Sequence, residues 1–307
     1  MSKVAIIGAG NLGSAIAYEI AAQGIVSELI IIDILKDLAE GQAADIQQAL
    51  VSKNTMKVRF GEYSDLIDSE MVIITAGKPR TLEMKDRLQL AEINLKIMDS
   101  IITEIKKYAR NSIIITVTNP MDVLNNHIFR QGFERTKVVG SGGELDSARF
   151  KVALGYPEQD FDAFVLGEHG EHQVPLFSKV YFHQKKKEFS EEEKEIFREK
   201  IKKTALTVIE KKGATTFAPA AHTAAMVKAI VNDEHQEMIC SVNLAGEYGL
   251  SDVSLGVPII LGKKGIIKIQ EWQIDEEERE QLRFAAKKLT AFYKEITTSY
   301  QQKLFKE

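Results

Sequence analysis

The chain has a single cysteine, no one block that gathers its Lys and Arg, and no long apolar run, and each shortage excludes a class of protein. With Cys240 alone, no intrachain disulfide can form, so the fold is expected to rest on its core and to suit a reducing interior such as the cytoplasm. Met238 and Ile239 beside it mark Cys240 as a packing residue. No apolar stretch approaches the roughly 18 residues that a membrane helix needs, and no membrane association is expected. Met1, Ser2 and Lys3 lead straight into Val4 to Ile7, without the h-region and cleavage site of a secretory signal. The 40 Lys and Arg residues are scattered among 44 Asp and Glu for a net charge of -4, which gives no basis for nucleic-acid binding. His172 follows His169 by three residues, but no cysteine or carboxylate cluster completes a coordination sphere, and no metal is expected.

What is present suits one large α/β unit or two joined halves: 307 residues, 44% hydrophobic and 27% charged, enough for a sizeable core under a solvated surface. Val4 to Ile7 is a continuous apolar run of the kind buried on both faces of a parallel sheet. Gly8, Gly10 and Gly13 follow, and Leu12, Ile16 and Ile20 then recur at helical spacing. Between a strand and a helix, such glycines suit a dinucleotide. Gly8 makes the turn, Gly10 lets the backbone approach a pyrophosphate, and Gly13 lets the helix pack closely; Asn11 and Leu12 belong to the same turn. A second apolar run, Leu29 to Ile32, ends at Asp33, 20 residues beyond Gly13. A carboxylate there accepts from ribose hydroxyls and repels a 2′-phosphate, which favours NAD over NADP.

Further strands are expected at Lys57–Phe60, Met71–Thr75, Ile113–Thr118 and Lys137–Gly140, separated by helical segments such as 35–50, 87–108 and 121–131. The alternation implies a doubly wound parallel sheet of the Rossmann kind with right-handed crossovers. Ligands of such sheets bind beyond the carboxyl ends of the strands, which directs Thr75, Ala76 and Gly77, and Thr118, Asn119 and Pro120, toward the glycine turn. From Lys78 to Arg87 the chain carries Lys78, Arg80, Lys85 and Arg87 among acidic residues. That segment reads either as a solvated loop or as a lid bringing arginines onto an anionic substrate.

Asp146 and Arg149 lie three apart, on one helical face, and His169 follows between Gly167 and Gly170. Alone, these are a surface ion pair and an isolated histidine, or else a base, its orienting carboxylate and an anion clamp. In the second half, Ser190 is expected to cap a helix that starts in the acidic run from Glu191 to Glu195. Gly262 and Gly265 bracket a hairpin turn, and Leu282, Ala286, Leu289, Tyr293 and Ile296 mark a long closing helix.

The glycine turn with Asp33, Thr75-Ala76-Gly77, Thr118-Asn119-Pro120, Leu145 to Arg149 and Gly167 to Gly170, in this order and over nearly the whole chain, resemble the lactate/malate dehydrogenase family. The resemblance implies an NAD-binding Rossmann domain at 1–140, followed by a mixed α+β substrate and catalytic domain at 141–307. It also implies roles residue by residue. His169 becomes the general acid/base, Asp146 its partner, and Arg149 a two-pronged clamp for the substrate's 1-carboxylate. Arg87, seven residues before Asn94 in an Arg-Leu-x-Leu-x-x-x-Asn pattern, becomes the lid arginine that polarises the reacting carbonyl. Asn119 would orient substrate and nicotinamide, Thr215 and Pro219 would line their pocket, and Asn94, Thr75, Ala76, Gly77 and Thr118 would contact the cofactor.

The substrate is expected to be a 2-hydroxy or 2-oxo acid, with malate favoured, because Pro79-Arg80 followed by Met84 resembles the malate version of the lid. Leaving such an arginine buried without a distal carboxylate costs on the order of 2–5 kcal/mol. Six residues separate Arg80 from Arg87 where the family usually has five, and an extra residue placed early puts Thr81 in the discriminating position. Lys212 to Thr215 resembles lactate dehydrogenases and Ala218-Pro219-Ala220 malate dehydrogenases, while Val174 to Val180, Gly246-Glu247 and Gly256 to Pro258 resemble archaeal-type malate dehydrogenases. The expectation is thus an NAD-dependent malate dehydrogenase of the tricarboxylic acid cycle that self-associates as a homodimer or homotetramer. A lactate or other 2-hydroxy-acid dehydrogenase is the alternative, and a non-catalytic NAD-sensing module a more remote one.

Overall fold

A computed structural model describes residues 2–78, 87–155 and 161–304, apart from the side chains of Arg87, Ala205 and Leu304. Six strands open the chain: β1 (Lys3–Ile7), β2 (Glu28–Ile32), β3 (Lys57–Phe60), β4 (Met71–Ile74), β5 (Ile113–Thr116) and β6 (Val138–Gly140). They pair in parallel in the order β3-β2-β1-β4-β5-β6. Helices α1 (Asn11–Gln23), α2 (Lys36–Leu50), α3 (Arg87–Tyr108) and α4 (Met121–Arg130) join them. Val4, Ala5, Ile6, Ile30, Ile31, Val72, Ile73, Ile114 and Ile115 are wholly buried, as strands covered on both faces require. The order reverses between β1 and β4, and a crevice forms outside a sheet at such a switch point.

The doubly wound half therefore has the strands that the apolar runs predict, with ends moved by one or two residues. β4 stops at Ile74 and β5 at Thr116. Beyond them the chain turns away while still bonded to its neighbours, with Thr75 N and Ala76 N both donating to Ile7 O.

After β6 come α5 (Gly143–Leu154), β7 (Phe161–Asp162), β8 (Val165–Gly167), β9 (Gln173–Pro175), β10 (Tyr181–Phe182) and β11 (Lys185–Lys186). Two helices, α6 (Glu191–Lys212) and α7 (Phe217–Val231), lead to the long antiparallel strands β12 (Gln236–Ala245) and β13 (Ser251–Gly262), then β14 (Gly265–Ile269) and α8 (Glu276–Leu304). Ser190 caps α6 through a reciprocal pair with Glu193, each side chain accepting from the other's amide. Gly262 pairs with Gly265 across the hairpin, and the predicted tail helix is α8.

Local patterns do not foretell how the halves join. β12 pairs antiparallel with β6 through Ser241 and Gly140, and β13, β8 and β9 extend the same 11-stranded sheet. A second core, with Phe150, Phe161, Val165, Phe177 and Ile201, lies under the small β11-β10-β7 sheet. Thr215 stands just before α7, and Pro219 is buried in the first turn of that helix.

Candidate active site

Two of the three glycines of the turn are fixed by contacts that leave no room for a side chain. Gly8 has a φ of +113°, which side chains rarely adopt, and a Cβ there would lie 2.6 Å from Ala76 N. A Cβ on Gly13 would lie 1.8 Å from Gly8 O. Gly10 is exposed, a Cβ on it would meet nothing within 4 Å, and no side chain caps α1 above it. The amino end of α1, carrying Asn11 and Leu12, therefore opens onto free space with its first amides unbonded by the helix itself, the arrangement that anions seek.

Asp33, half-buried at the end of β2, closes the turn on one side. Its Oδ2 accepts from Ala9 N at 2.6 Å and its Oδ1 from Leu35 N at 2.9 Å. A carboxylate has about four acceptor sites, so capacity remains for sugar hydroxyls. The Thr75 hydroxyl donates toward Gly8 O at 3.0 Å and Ile7 O at 3.2 Å, bracing the turn from the other side. Thr118 Oγ1 donates to Ala76 O at 2.9 Å, and its methyl would meet a Cβ on Gly77 at 2.4 Å. These strand-end residues, expected as cofactor contacts, form the rim of the turn and hold it in shape.

Asn94 does something that its expected role omits. It is 1% exposed, its Oδ1 accepts from Lys78 N at 2.7 Å, and its Nδ2 donates to Lys78 O at 3.1 Å and Asn119 O at 2.7 Å. With its polar atoms bonded to backbone, Asn94 ties the β4 loop to the β5 loop. Asn119 itself is exposed, followed by a cis peptide bond to Pro120, with Oδ1 accepting from Met121 N at 3.3 Å. Arg80 lies outside the described residues. Arg87 opens α3, its side chain likewise outside the description.

The catalytic candidates converge on α5 and the loop after β8. Asp146, 2% exposed in the first turn of α5, accepts at Oδ1 from Arg149 Nη1 at 2.8 Å and at Oδ2 from His169 Nδ1 at 2.7 Å. One carboxylate thus joins the i,i+3 arginine to a histidine 23 residues away. Because an ionised carboxylate only accepts, Nδ1 carries the hydrogen and Nε2 is left as the free base. Burial alone would depress the His169 imidazole, but the charge and hydrogen bond of Asp146, with the charge of Asp122, outweigh burial and Arg149 and raise its pKa above the ordinary value. Gly142, with a φ of +135°, covers the ring, and a Cβ there would lie 2.7 Å from His169 Cγ.

The geometry adds residues that had no partner pattern in the sequence. His222, half-buried on α7, lies within electrostatic reach of the cluster: burial, then Arg149 and Lys151, against Asp146, hold its pKa below the ordinary value. Asp122 of α4 accepts from the main-chain N of His169 at 2.7 Å, tying the histidine loop to the carboxyl end of β5. Thr215 is half-buried, and Thr216 after it accepts a bond from Lys212 Nζ. Among the described residues, no group of three or more His, Cys, Asp or Glu is arranged to hold a metal ion, and no helix is long and apolar enough to cross a membrane.

The model of the lactate/malate dehydrogenase NAD binding domain matches residues 2–140, and that of the family's alpha/beta C-terminal domain matches residues 143–299. The chain belongs to the lactate/malate dehydrogenase family. It is an NAD-dependent oxidoreductase of 2-hydroxy acids, with a parallel Rossmann sheet in its N-terminal part and a mixed α/β part after it. It is 43% identical over 304 residues to a malate dehydrogenase of Halobacterium salinarum, covering 96% of this chain and 100% of that one. Identity to an L-lactate dehydrogenase of Lactobacillus helveticus is 35% over 299 residues, covering 94% and 92%. The solved structure of the Archaeoglobus fulgidus malate dehydrogenase in complex with NADH superimposes with a TM-score of 0.89 at 35% identity, covering 96% of this chain and 99% of that one. Free space at the amino end of α1 and the spare acceptors of Asp33 fit the NAD that such a domain binds.

Proposed function

We propose that this enzyme is a malate dehydrogenase in which His169 moves the proton of the substrate hydroxyl. The observation that carries the role of His169 is the pair of 2.7 and 2.8 Å contacts through which Asp146 holds both His169 and Arg149. In oxidation, the O–H proton passes to His169 Nε2 as the carbinol C–H bond breaks and the carbonyl forms. When bound, NAD+ accepts the hydride from that carbon. The imidazolium so formed keeps its Nδ1–H on Asp146, and the opposite charge close by stabilises it. Arg149 has guanidinium N–H groups beyond the one given to Asp146, and these clamp the 1-carboxylate. Asn119, Thr215 and Arg87 would complete the substrate pocket, with Asp33 on the adenosine ribose.

Malate over lactate is supported by the higher identity to the halobacterial malate dehydrogenase and by Pro79-Arg80. The test is kcat/KM for oxaloacetate against pyruvate with NADH. A preference for oxaloacetate that Arg80→Gln turns toward pyruvate supports the reading; a wild-type preference for pyruvate refutes it and makes the chain a lactate dehydrogenase. The resemblance further supports a domain boundary after residue 140, a cytoplasmic location and a homodimer or homotetramer, the last to be read by sedimentation.

A further inference from the structure

Asp122 stands in the first turn of α4, two residues past Pro120, and is 3% exposed. Its two oxygens face donors from two distant parts of the chain. Oδ2 accepts the His169 amide at 2.7 Å, and Oδ1 accepts the Ser241 hydroxyl at 2.5 Å. Ser241 is the β12 residue paired with Gly140, and its carbonyl accepts from Asn125 Nδ2 at 3.1 Å. A single carboxylate therefore fastens the histidine loop both to the end of β5 and to the junction of the two halves. His169 is held twice, by Asp146 on the ring and by Asp122 on the main chain.

We propose that Asp122 is a positioning residue for hydride transfer: it fixes His169 over Asp146 through the main chain and places a second negative charge beside the imidazolium. This rests on the reading of His169 as the acid/base. Burial raises the Asp122 carboxyl to about 7, against the Ser241 bond, the His169 charge and the His169 amide, with Glu168 adding to the rise. Its charge therefore depends on the proton held by the histidine. Asp122 also lines a cavity of about 100 Å³, whose other charged or titratable lining groups are Arg130 of α4, Asp252 of β13, and Tyr293 and Lys294 of α8.

The test compares Asp122→Asn, Ser241→Ala and His169→Asn by thermal melting, NADH binding, and the pH dependence of kcat/KM in hydroxy-acid oxidation, on whichever of malate and lactate the wild type prefers. Asp122→Asn is expected to bind NADH as the wild type does and to lose kcat about tenfold to a hundredfold, as misplacement of a catalytic group by up to about 1 Å does. Its acid limb should move to lower pH, because removing a neighbouring negative charge makes the imidazole easier to deprotonate. Ser241→Ala, which keeps the carboxylate but removes a donor favouring its charged form, should move the limb the same way by less. Wild-type kcat and an unmoved limb in Asp122→Asn, with His169→Asn inactive, overturn the role of Asp122 and leave that of His169 standing. If Asp122→Asn does not fold, an unmoved limb in Ser241→Ala overturns it instead. Activity of His169→Asn within tenfold of the wild type removes the acid/base reading and this proposal with it.

Discussion

Replacing Asp146 by Asn keeps the shape of the side chain and removes one of its two acceptors. Both neighbours are donors, Arg149 Nη1 at 2.8 Å and His169 Nδ1 at 2.7 Å, so the amide can satisfy only one. If the oxygen stays with Arg149, the NH2 group faces Nδ1, the imidazole turns to the other tautomer, and Nε2 carries a hydrogen where the substrate proton should go. If the oxygen stays with His169, an arginine side chain only 11% exposed is left against another donor. Loss of one charge-assisted bond is worth about 1.5–3 kcal/mol, or roughly tenfold to 150-fold in rate. The wrong tautomer adds to this, so kcat/KM for oxidation is expected to fall about 10²- to 10⁴-fold. With His169 as the proposed acid/base, oxidation requires it neutral, so the rate is expected to rise with pH through the imidazole pKa, which Asp146 holds above the ordinary value. In Asp146→Asn that limb should move to lower pH. Initial rates of NADH formation from malate across the pH range measure both effects, with NADH affinity as the control. A variant within fivefold of the wild type, its acid limb unmoved, would refute the role assigned to this carboxylate.

Gly13→Ala should lower both Tm and NADH affinity, because its Cβ must push Gly8 O away from 1.8 Å. Overpacking of that kind costs about 1–3 kcal/mol, whereas Gly10→Ala, with nothing within 4 Å, should melt as the wild type; equal melting of the two variants contradicts the argument. Cys240 is wholly buried, and burial with the charge of Glu144 pushes its thiol well above the ordinary range. A thiol reagent is therefore expected to leave the native protein unlabelled and to titrate one group after unfolding, and rapid labelling of the native protein contradicts that placement.

Local signals account for what the sequence reveals. Apolar runs such as Val4–Ile7 and Leu29–Ile32 become strands because four or more β-branched or aliphatic residues in a row suit burial on both faces. Ser190 and Glu193 announce their capping box three residues apart. Asp146 and Arg149 are legible as a pair because i and i+3 side chains must meet on a helix. The rest depends on closure over long stretches of chain. Asp122 reaches His169 across 47 residues and Ser241 across 119, separations at which no periodicity constrains a partner. Asn94 has its part in the family pattern, yet only the folded chain reveals that its amide is spent on Lys78 and Asn119 backbone. Continuity of the sheet from β6 into β12 is equally hidden, since a pairing of residues so far apart as Gly140 and Ser241 has no turn or periodicity to mark it.

That continuity bears on how the molecule can bend. The Ser241–Gly140 pairing is reinforced further along the chain by Asn243 Nδ2 donating to Asn126 Oδ1 at 2.8 Å and by Arg135 donating to Glu247 at 3.0 Å. Rotation of one half against the other, as in proteins that close like jaws on a ligand, would have to break this pairing and the bonds beside it, at the cost of leaving buried polar groups without partners. The seam between the two halves is thus a strand pairing with side-chain bonds beside it, and a load borne by either half is transmitted to the other through the strands themselves.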